Sequence, residues 1–81
     1  KDLAKELTLL IAQGAEDYRL KRGGDEVRVL IGEAIPANGI AKPTISGRRK
    51  RFKTAMEQEM SNIGWEPAPN KAHHTYRRVK G

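Results

Sequence analysis

Apolar residues recur every three or four positions over the first 22 residues of the chain. Five of them fall on one face of a helix drawn through this stretch: Leu3, Leu7, Leu10, Ile11 and Tyr18. This spacing is typical of an amphipathic helix that packs on a core. The pattern predicts a first helix over residues 2–22. Gly14 lies on the same face, which predicts a close crossing by another element there.

The residues around this stretch suit the two ends of a helix. Asp2 is a favourable N-cap, and Lys21 and Arg22 complement the negative C-terminal end of the helix dipole. Gly23 and Gly24 follow and predict the stop.

The pattern over residues 25–35 fits two structures. Val27, Val29 and Ile31 alternate as in a strand, but the apolar residues of the segment also share one helical face. Asp25 is a natural N-cap and Pro36 would end a helix at Ile35. We therefore predict a second helix over residues 25–35 and keep a strand as the alternative.

A third helix is predicted over residues 45–63. Ile45, Phe52, Met56, Met60 and Ile63 fall within one narrow sector of a helical wheel. Thr44 or Ser46 is suited to cap this helix, and Gly64 predicts its end.

The tail changes from helical periodicity to alternation. Residues 73–79 alternate as in a strand after a turn rich in proline, which predicts a β-hairpin over residues 65–79 with Asn70 and Lys71 near its tip. Because a lone hairpin is marginally stable, Trp65, Tyr76 and Val79 are expected to pack on the helices.

Together these elements predict a mainly α protein of the α+β class, with three helices and a small C-terminal hairpin. A chain of 81 residues is expected to form one domain, residues 1–81, around one core. Because the first residue is Lys1 and not methionine, we expect a domain excised from a longer protein. No apolar run approaches the roughly 20 residues that span a bilayer, so we expect a soluble, cytoplasmic protein, on the nucleoid if the source is bacterial.

The excess of positive over negative charge lies entirely in the second half of the chain. Residues 1–41 carry six Lys/Arg and seven acids, whereas residues 42–81 carry ten Lys/Arg and three acids, within a total of +6. A one-sided positive field attracts polyanions such as nucleic acid. The alternative is that the basic run 48–53 is only a solvated surface or a localisation signal.

The helical wheel divides the third predicted helix into roles for DNA binding. Residues opposite the apolar sector, or near the helix start, are predicted to contact base edges: Ser46, Lys50, Arg51, Thr54 and Gln58. Residues flanking that sector and cations of the hairpin are predicted to contact phosphates: Thr44, Arg48, Arg49, Lys53, Lys71, His74, Arg77 and Arg78. The N–H groups of residues 44–47 are expected to assist, because the first turn of a helix leaves them unpaired.

Three helices followed by a hairpin, with a basic third helix, resemble the winged helix-turn-helix class of DNA-binding domains. The resemblance is one of architecture and names no particular family. It implies that residues 46–58 enter the major groove and that residues 70–78 form a wing on the backbone or minor groove. The partner it implies is duplex DNA, in a regulator, replication or mobile-element protein.

No motif predicts catalysis, a metal or a cofactor. Ser46 has no His/Asp partner at a suitable spacing, and Glu57 and Glu59 lie on different helix faces. His73 and His74 point to opposite faces of a strand and lack cysteine or a third ligand. We therefore expect neither an enzyme nor a metal site.

Two other functions remain open at this level. The first is RNA or single-strand binding, with the aromatic residues of the hairpin stacked on bases. The second is a protein-interaction module or homodimer formed through the first helix, since Leu9 lies off its main apolar face.

Overall fold

The computed structural model describes residues 2–69 and 71–79 and has three helices and four strands in the order α1, β1, β2, α2, α3, β3, β4. The helices are α1 (Leu3–Ala12), α2 (Ile31–Ala34) and α3 (Lys42–Asn62). The strands are β1 (Leu20–Gly23), β2 (Glu26–Val29), β3 (Trp65–Pro67) and β4 (Thr75–Arg78). The predicted α+β class is confirmed. Asn70, which the sequence places at the hairpin tip, lies outside the described residues.

All four strands belong to one antiparallel sheet of order β1-β2-β4-β3. Val27 of β2 lies opposite Tyr76 of β4, and Trp65 of β3 lies opposite Arg78 of β4. The C-terminal hairpin is therefore present, but it forms half of a larger sheet whose other half comes from a hairpin at residues 20–29.

The first predicted helix is too long. α1 ends at Ala12 because Gly14 adopts a φ of +72°, which a side chain rarely permits, and the chain then turns into β1. A Cβ added at Gly14 would meet nothing within 4 Å, so the expected crossing is absent and conformation explains the glycine. Tyr18, placed on the core face, is 70% exposed.

The ends of α1 have side-chain partners. Asp2 accepts a hydrogen bond from the backbone N–H of Lys5, as predicted for the N-cap. Arg22, predicted inside the helix, instead lies on β1 and donates its Nη2 to the carbonyl of Ile11 at 2.7 Å. Arg22 thus satisfies a C-terminal carbonyl of α1 from a neighbouring strand.

The helix predicted over residues 25–35 is wrong for its first half, where the alternative of a strand is correct. Val27 and Val29 are both buried at 1% exposure because β2 lies between β1 and β4 and turns one face to the core. Only the single turn of α2 remains helical before Pro36.

α3 was predicted three residues late at its start. Its N-cap is Ala41, which makes no side-chain hydrogen bond, and Pro43 lies in the first turn, where a missing N–H costs no helical bond. Neither Thr44 nor Ser46 is therefore the cap. Four members of the predicted apolar sector, Ile45, Phe52, Met56 and Met60, are buried, whereas the fifth, Ile63, is the C-cap and is half-buried.

α1 and α3 cover one face of the sheet, and the core lies between the two layers. Residues from both helices and all four strands form one apolar cluster: Ala4, Leu7, Ile11, Leu20, Val27, Val29, Phe52, Met56, Met60, Trp65 and Tyr76. The hydroxyl of Thr8 donates to Sδ of Met56 at 3.4 Å between the helices. Trp65 and Tyr76 pack as predicted, whereas Val79 is 45% exposed and does not. This packing fixes which side of α3 faces solvent.

Candidate nucleic-acid interface

The N-terminal two thirds of α3 carry a dense charge of one sign. Between residues 42 and 56 it contains six Lys/Arg and no acid: Lys42, Arg48, Arg49, Lys50, Arg51 and Lys53. Glu57 and Glu59 come later in the helix. The positive end of the helix dipole adds to the charge at the N-terminal side. The positive potential is therefore concentrated on the first three to four turns.

We call the five predicted base-contact residues the outer face of α3: Ser46, Lys50, Arg51, Thr54 and Gln58. All five are exposed, on the side away from the core. The hydroxyl of Thr54 donates to the carbonyl of Lys50 at 3.3 Å, and Gln58 donates to Oδ1 of Asn62 at 3.4 Å. These are local bonds within the helix. The outer face is thus one continuous strip open to a ligand.

The α3 side chains that were predicted to contact phosphates differ in their exposure and in whether they already have hydrogen-bond partners. Thr44 and Arg48 are exposed and Lys53 is half-buried. Arg49 donates Nε and Nη2 to the carbonyl of Ile35, at 3.2 and 2.9 Å. Arg49 therefore anchors α3 to the end of α2. Within residues 2–69 and 71–79, no cation of α3 forms an ion pair with an acid.

We expect Arg49→Gln to lower the free energy of unfolding by about 1–2 kcal/mol, because it removes two charge-assisted donors from a carbonyl inside the domain. Arg48→Gln removes the same charge from an exposed site and should change stability by less than about 0.5 kcal/mol. Urea unfolding followed by circular dichroism measures both. Equal effects of the two substitutions would contradict the anchoring role.

The hairpin cations are largely neutralised by acids of the same sheet. Lys71 lies 3.7 Å from Glu26, and Nε of Arg77 lies 2.7 Å from Glu66. Arg78 pairs with Asp25 at 3.4 Å, and its guanidinium stacks 4.7 Å from the ring centre of Trp65. These three side chains are about half exposed and can still exchange partners. Their net contribution to the positive field is small, so that field comes mainly from α3.

His74 joins the hairpin to α3. Its backbone has a φ of +66°, and its ring lies 6.4 Å from that of Phe52. Burial lowers the pKa of His74 from its ordinary value, and the positive charges of Lys53, His73 and Arg49 lower it further, against a smaller opposing effect of Glu57. Its Nδ1 is buried with no hydrogen-bond partner in the described part of the chain. At neutral pH the ring is therefore uncharged, and a phosphate contact there would depend on an N–H donor.

Aromatic side chains of the hairpin are not available for stacking on bases. Trp65 and Tyr76 are 2% and 1% exposed, and burial raises the pKa of the Tyr76 hydroxyl. Among the Phe, Trp and Tyr side chains of the described residues, that of Tyr18 is exposed, at 70%. This arrangement disfavours the single-strand model in which hairpin aromatics stack on bases.

The backbone N–H groups expected to assist at residues 44–47 are mostly paired. Because α3 begins at Lys42, the N–H of Ile45 already donates to the carbonyl of Ala41 at 3.0 Å. Of these four groups, that of Thr44 falls in the first turn, where N–H groups lack intrahelical partners.

Two exposed cations of the sheet were missed from the sequence. Lys21 and Arg28 lie directly opposite each other on β1 and β2, on the face away from the helices. Both were placed inside predicted helices. The strand-like alternation of Val27 and Val29 was the signal that would have predicted an outward-facing Arg28 between them.

Among the described residues, no group of three or more His, Cys, Asp or Glu is arranged to hold a metal ion, and no helix is long and apolar enough to cross a membrane. Leu9 is 58% exposed, as the homodimer hypothesis requires of it. Comparisons with protein-family models, curated proteins and solved structures gave no match to the chain.

Proposed function

We propose that this domain binds duplex DNA through the outer face of α3, as part of a regulator, replication or mobile-element protein. The observation that supports it is the run of cations in residues 42–56, uninterrupted by acids and held on a helix whose opposite side is buried. Such a surface concentrates a polyanion and gives the helix a defined orientation on it.

The dimensions of α3 suit the major groove of B-form DNA. A helix with its side chains is about 10–12 Å across, and the groove is about 12 Å wide. In this arrangement Lys50 and Arg51 contact base edges, where arginine and lysine pair with guanine O6 and N7. Thr54 and Gln58 follow along the same strip, and Ser46 lies at its N-terminal end. Arg48 and Lys53 lie to either side and contact phosphates.

The wing takes a secondary part in the proposal. Lys71, Arg77 and Arg78 contact the DNA backbone by exchanging their acid partners for phosphates, and His74 contributes an N–H donor. Each exchange replaces an exposed ion pair, which is itself worth less than about 1 kcal/mol. The resemblance to the winged helix-turn-helix class remains part of this proposal.

The proposal is tested by measuring affinity for duplex DNA, duplex RNA and single-stranded DNA of equal length over a range of salt concentrations. We expect duplex DNA to bind best, because the deep and narrow major groove of A-form RNA does not admit a helix. Log affinity should fall linearly with log salt, with a slope of about −4 to −6 for five or six phosphate contacts.

Equal affinity for all three ligands at moderate salt would contradict groove binding. It would still be compatible with a surface that binds polyanions irrespective of their structure. Tighter binding of single strands or duplex RNA would favour the RNA or single-strand alternative. A dimer that forms without nucleic acid and ignores its addition, measured by sedimentation, would favour the interaction-module alternative.

A further inference from the structure

The face of the sheet that points away from the helices carries a second cluster of positive charge, separate from α3. The pleat turns Leu20, Val27 and Val29 toward the helices and turns Lys21 and Arg28 to solvent. α3 packs on the opposite side of the sheet. One straight duplex in contact with the outer face of α3 therefore does not reach these two cations.

Lys21 and Arg28 face each other across the β1–β2 ladder. Directly opposed side chains on neighbouring strands have Cβ atoms about 4.5–5.5 Å apart, and like charges in that position are destabilising. An anion held between them removes this repulsion.

The other cations on the sheet and its loops have partners in the described chain. Lys71, Arg77 and Arg78 pair with acids, Arg19 pairs with Asp17 and Glu6, and Arg22 is bonded to carbonyls. Lys21 and Arg28 pair with no acid among residues 2–69 and 71–79. The unpaired positive charge of this face is thus localised at one point.

A hollow of about 280 Å³ lies beside the pair. Its walls include Lys21, Arg28, Lys71, Ala72 and Thr75, so the loop before β4 closes one side. Glu26 also lines the hollow, and its carboxylate is paired with Lys71 at 3.7 Å. The hollow is wide enough for a phosphate group, and its wall includes a threonine, whose hydroxyl can donate to a phosphate oxygen.

We propose that Lys21 and Arg28 bind the phosphate backbone of a second nucleic-acid segment, so that one domain holds two duplexes on opposite sides. The identity of this polyanion as nucleic acid rests on the proposed function, while the site itself rests on the sheet geometry. The expected consequence is that the protein bridges duplexes.

The experiment retains a fluorescent duplex on beads that carry a different, immobilised duplex, in 50 mM salt. Wild-type protein should bridge the two. Arg28→Gln should retain the fluorescent duplex about tenfold less, the loss expected for one phosphate contact at this salt. Lys5→Gln, which removes the same charge from an exposed position on α1, should bridge like the wild type.

Affinity for a single duplex is measured in parallel, and Arg28→Gln should lower it no more than Lys5→Gln does. Arg28→Gln should also raise the melting temperature by about 1–4 °C, since it removes the opposed like charges. A higher melting temperature together with a loss of bridging would support the proposal that Lys21 and Arg28 form an anion-binding site.

If Arg28→Gln bridged duplexes at the wild-type level, the inference would be overturned. This is also the result expected if the protein bridged duplexes by forming dimers. Loss of single-duplex affinity in step with bridging would overturn it as well, because the two surfaces would then be one. A wild type that binds one duplex and bridges none overturns this inference alone, whereas a wild type that binds no duplex overturns the proposed function.

Discussion

Replacing Trp65 with alanine is expected to lower the free energy of unfolding by about 3–5 kcal/mol. Trp65 is 2% exposed at the start of β3 and belongs to the apolar cluster between the helices and the sheet. The substitution leaves a cavity there and removes the ring on which Arg78 stacks. A domain of this size has a total stability of roughly 4–12 kcal/mol, so the substitution should remove at least about a quarter of it.

Tyr18→Ala provides the matched control, because Tyr18 is an aromatic residue that is 70% exposed. It should change stability by less than about 0.5 kcal/mol. Circular dichroism in urea measures both variants without depending on the fluorescence of the single tryptophan. If Trp65→Ala were as stable as Tyr18→Ala but bound nucleic acid poorly, Trp65 would have to be a surface residue that stacks on bases.

Arg51→Gln is expected to weaken binding to a preferred duplex by about 1–3 kcal/mol, or roughly 5–150-fold, and to reduce its preference over random sequence. Arg51 lies on the outer face of α3, and its guanidinium has no ion-pair partner in the described residues. The preferred duplex is obtained first by selection from a random pool at near-physiological salt.

Arg48→Gln is the comparison, since Arg48 is exposed beside the outer face and is placed on phosphates. It should weaken preferred and random duplexes alike and lower the salt slope by about one. Arg49 is unsuited to this comparison because its guanidinium is bonded to the carbonyl of Ile35. Equal loss of sequence preference from Arg51→Gln and Arg48→Gln would refute the division into base and phosphate contacts.

The sequence predicted α3 well because its signal is local. Ile45, Phe52, Met56 and Met60 keep helical spacing over four turns, so their burial and the exposure of the opposite side follow from one segment. The N-terminal boundary of α3 was predicted less accurately, because Pro43 is equally compatible with a break before a helix and with the first turn of one.

The first hairpin of the sheet was missed because the apolar pattern of its second strand is ambiguous. Val27, Val29 and Ile31 fit a strand and a helix alike, and the pairing of Val27 with Tyr76 decides between them. That partner is 49 positions away in the chain. The position of Gly14 suggested a buried contact, whereas its backbone conformation ends α1 and frees residues 20–23 for the sheet.

The candidate interface was predictable in its location and less so in its detail. Exposure of Lys50, Arg51 and Thr54 follows from the helical wheel. The capture of Arg49 by the carbonyl of Ile35 and the pairing of Arg77 with Glu66 depend on tertiary packing, which no local pattern specifies. Charge counts therefore overestimated the wing relative to α3.

The strand order has a consequence for how the protein folds. The two hairpins, β1–β2 and β3–β4, can each form locally, but the sheet is completed only by the central pairing of β2 with β4. That step closes a loop containing α2 and all of α3, and such long-range closure is slow compared with helix formation. During synthesis the basic helix therefore emerges from the ribosome before the sheet that orients it is complete. Its apolar side can pack on α1 at that stage but is fully covered only when β4 is in place.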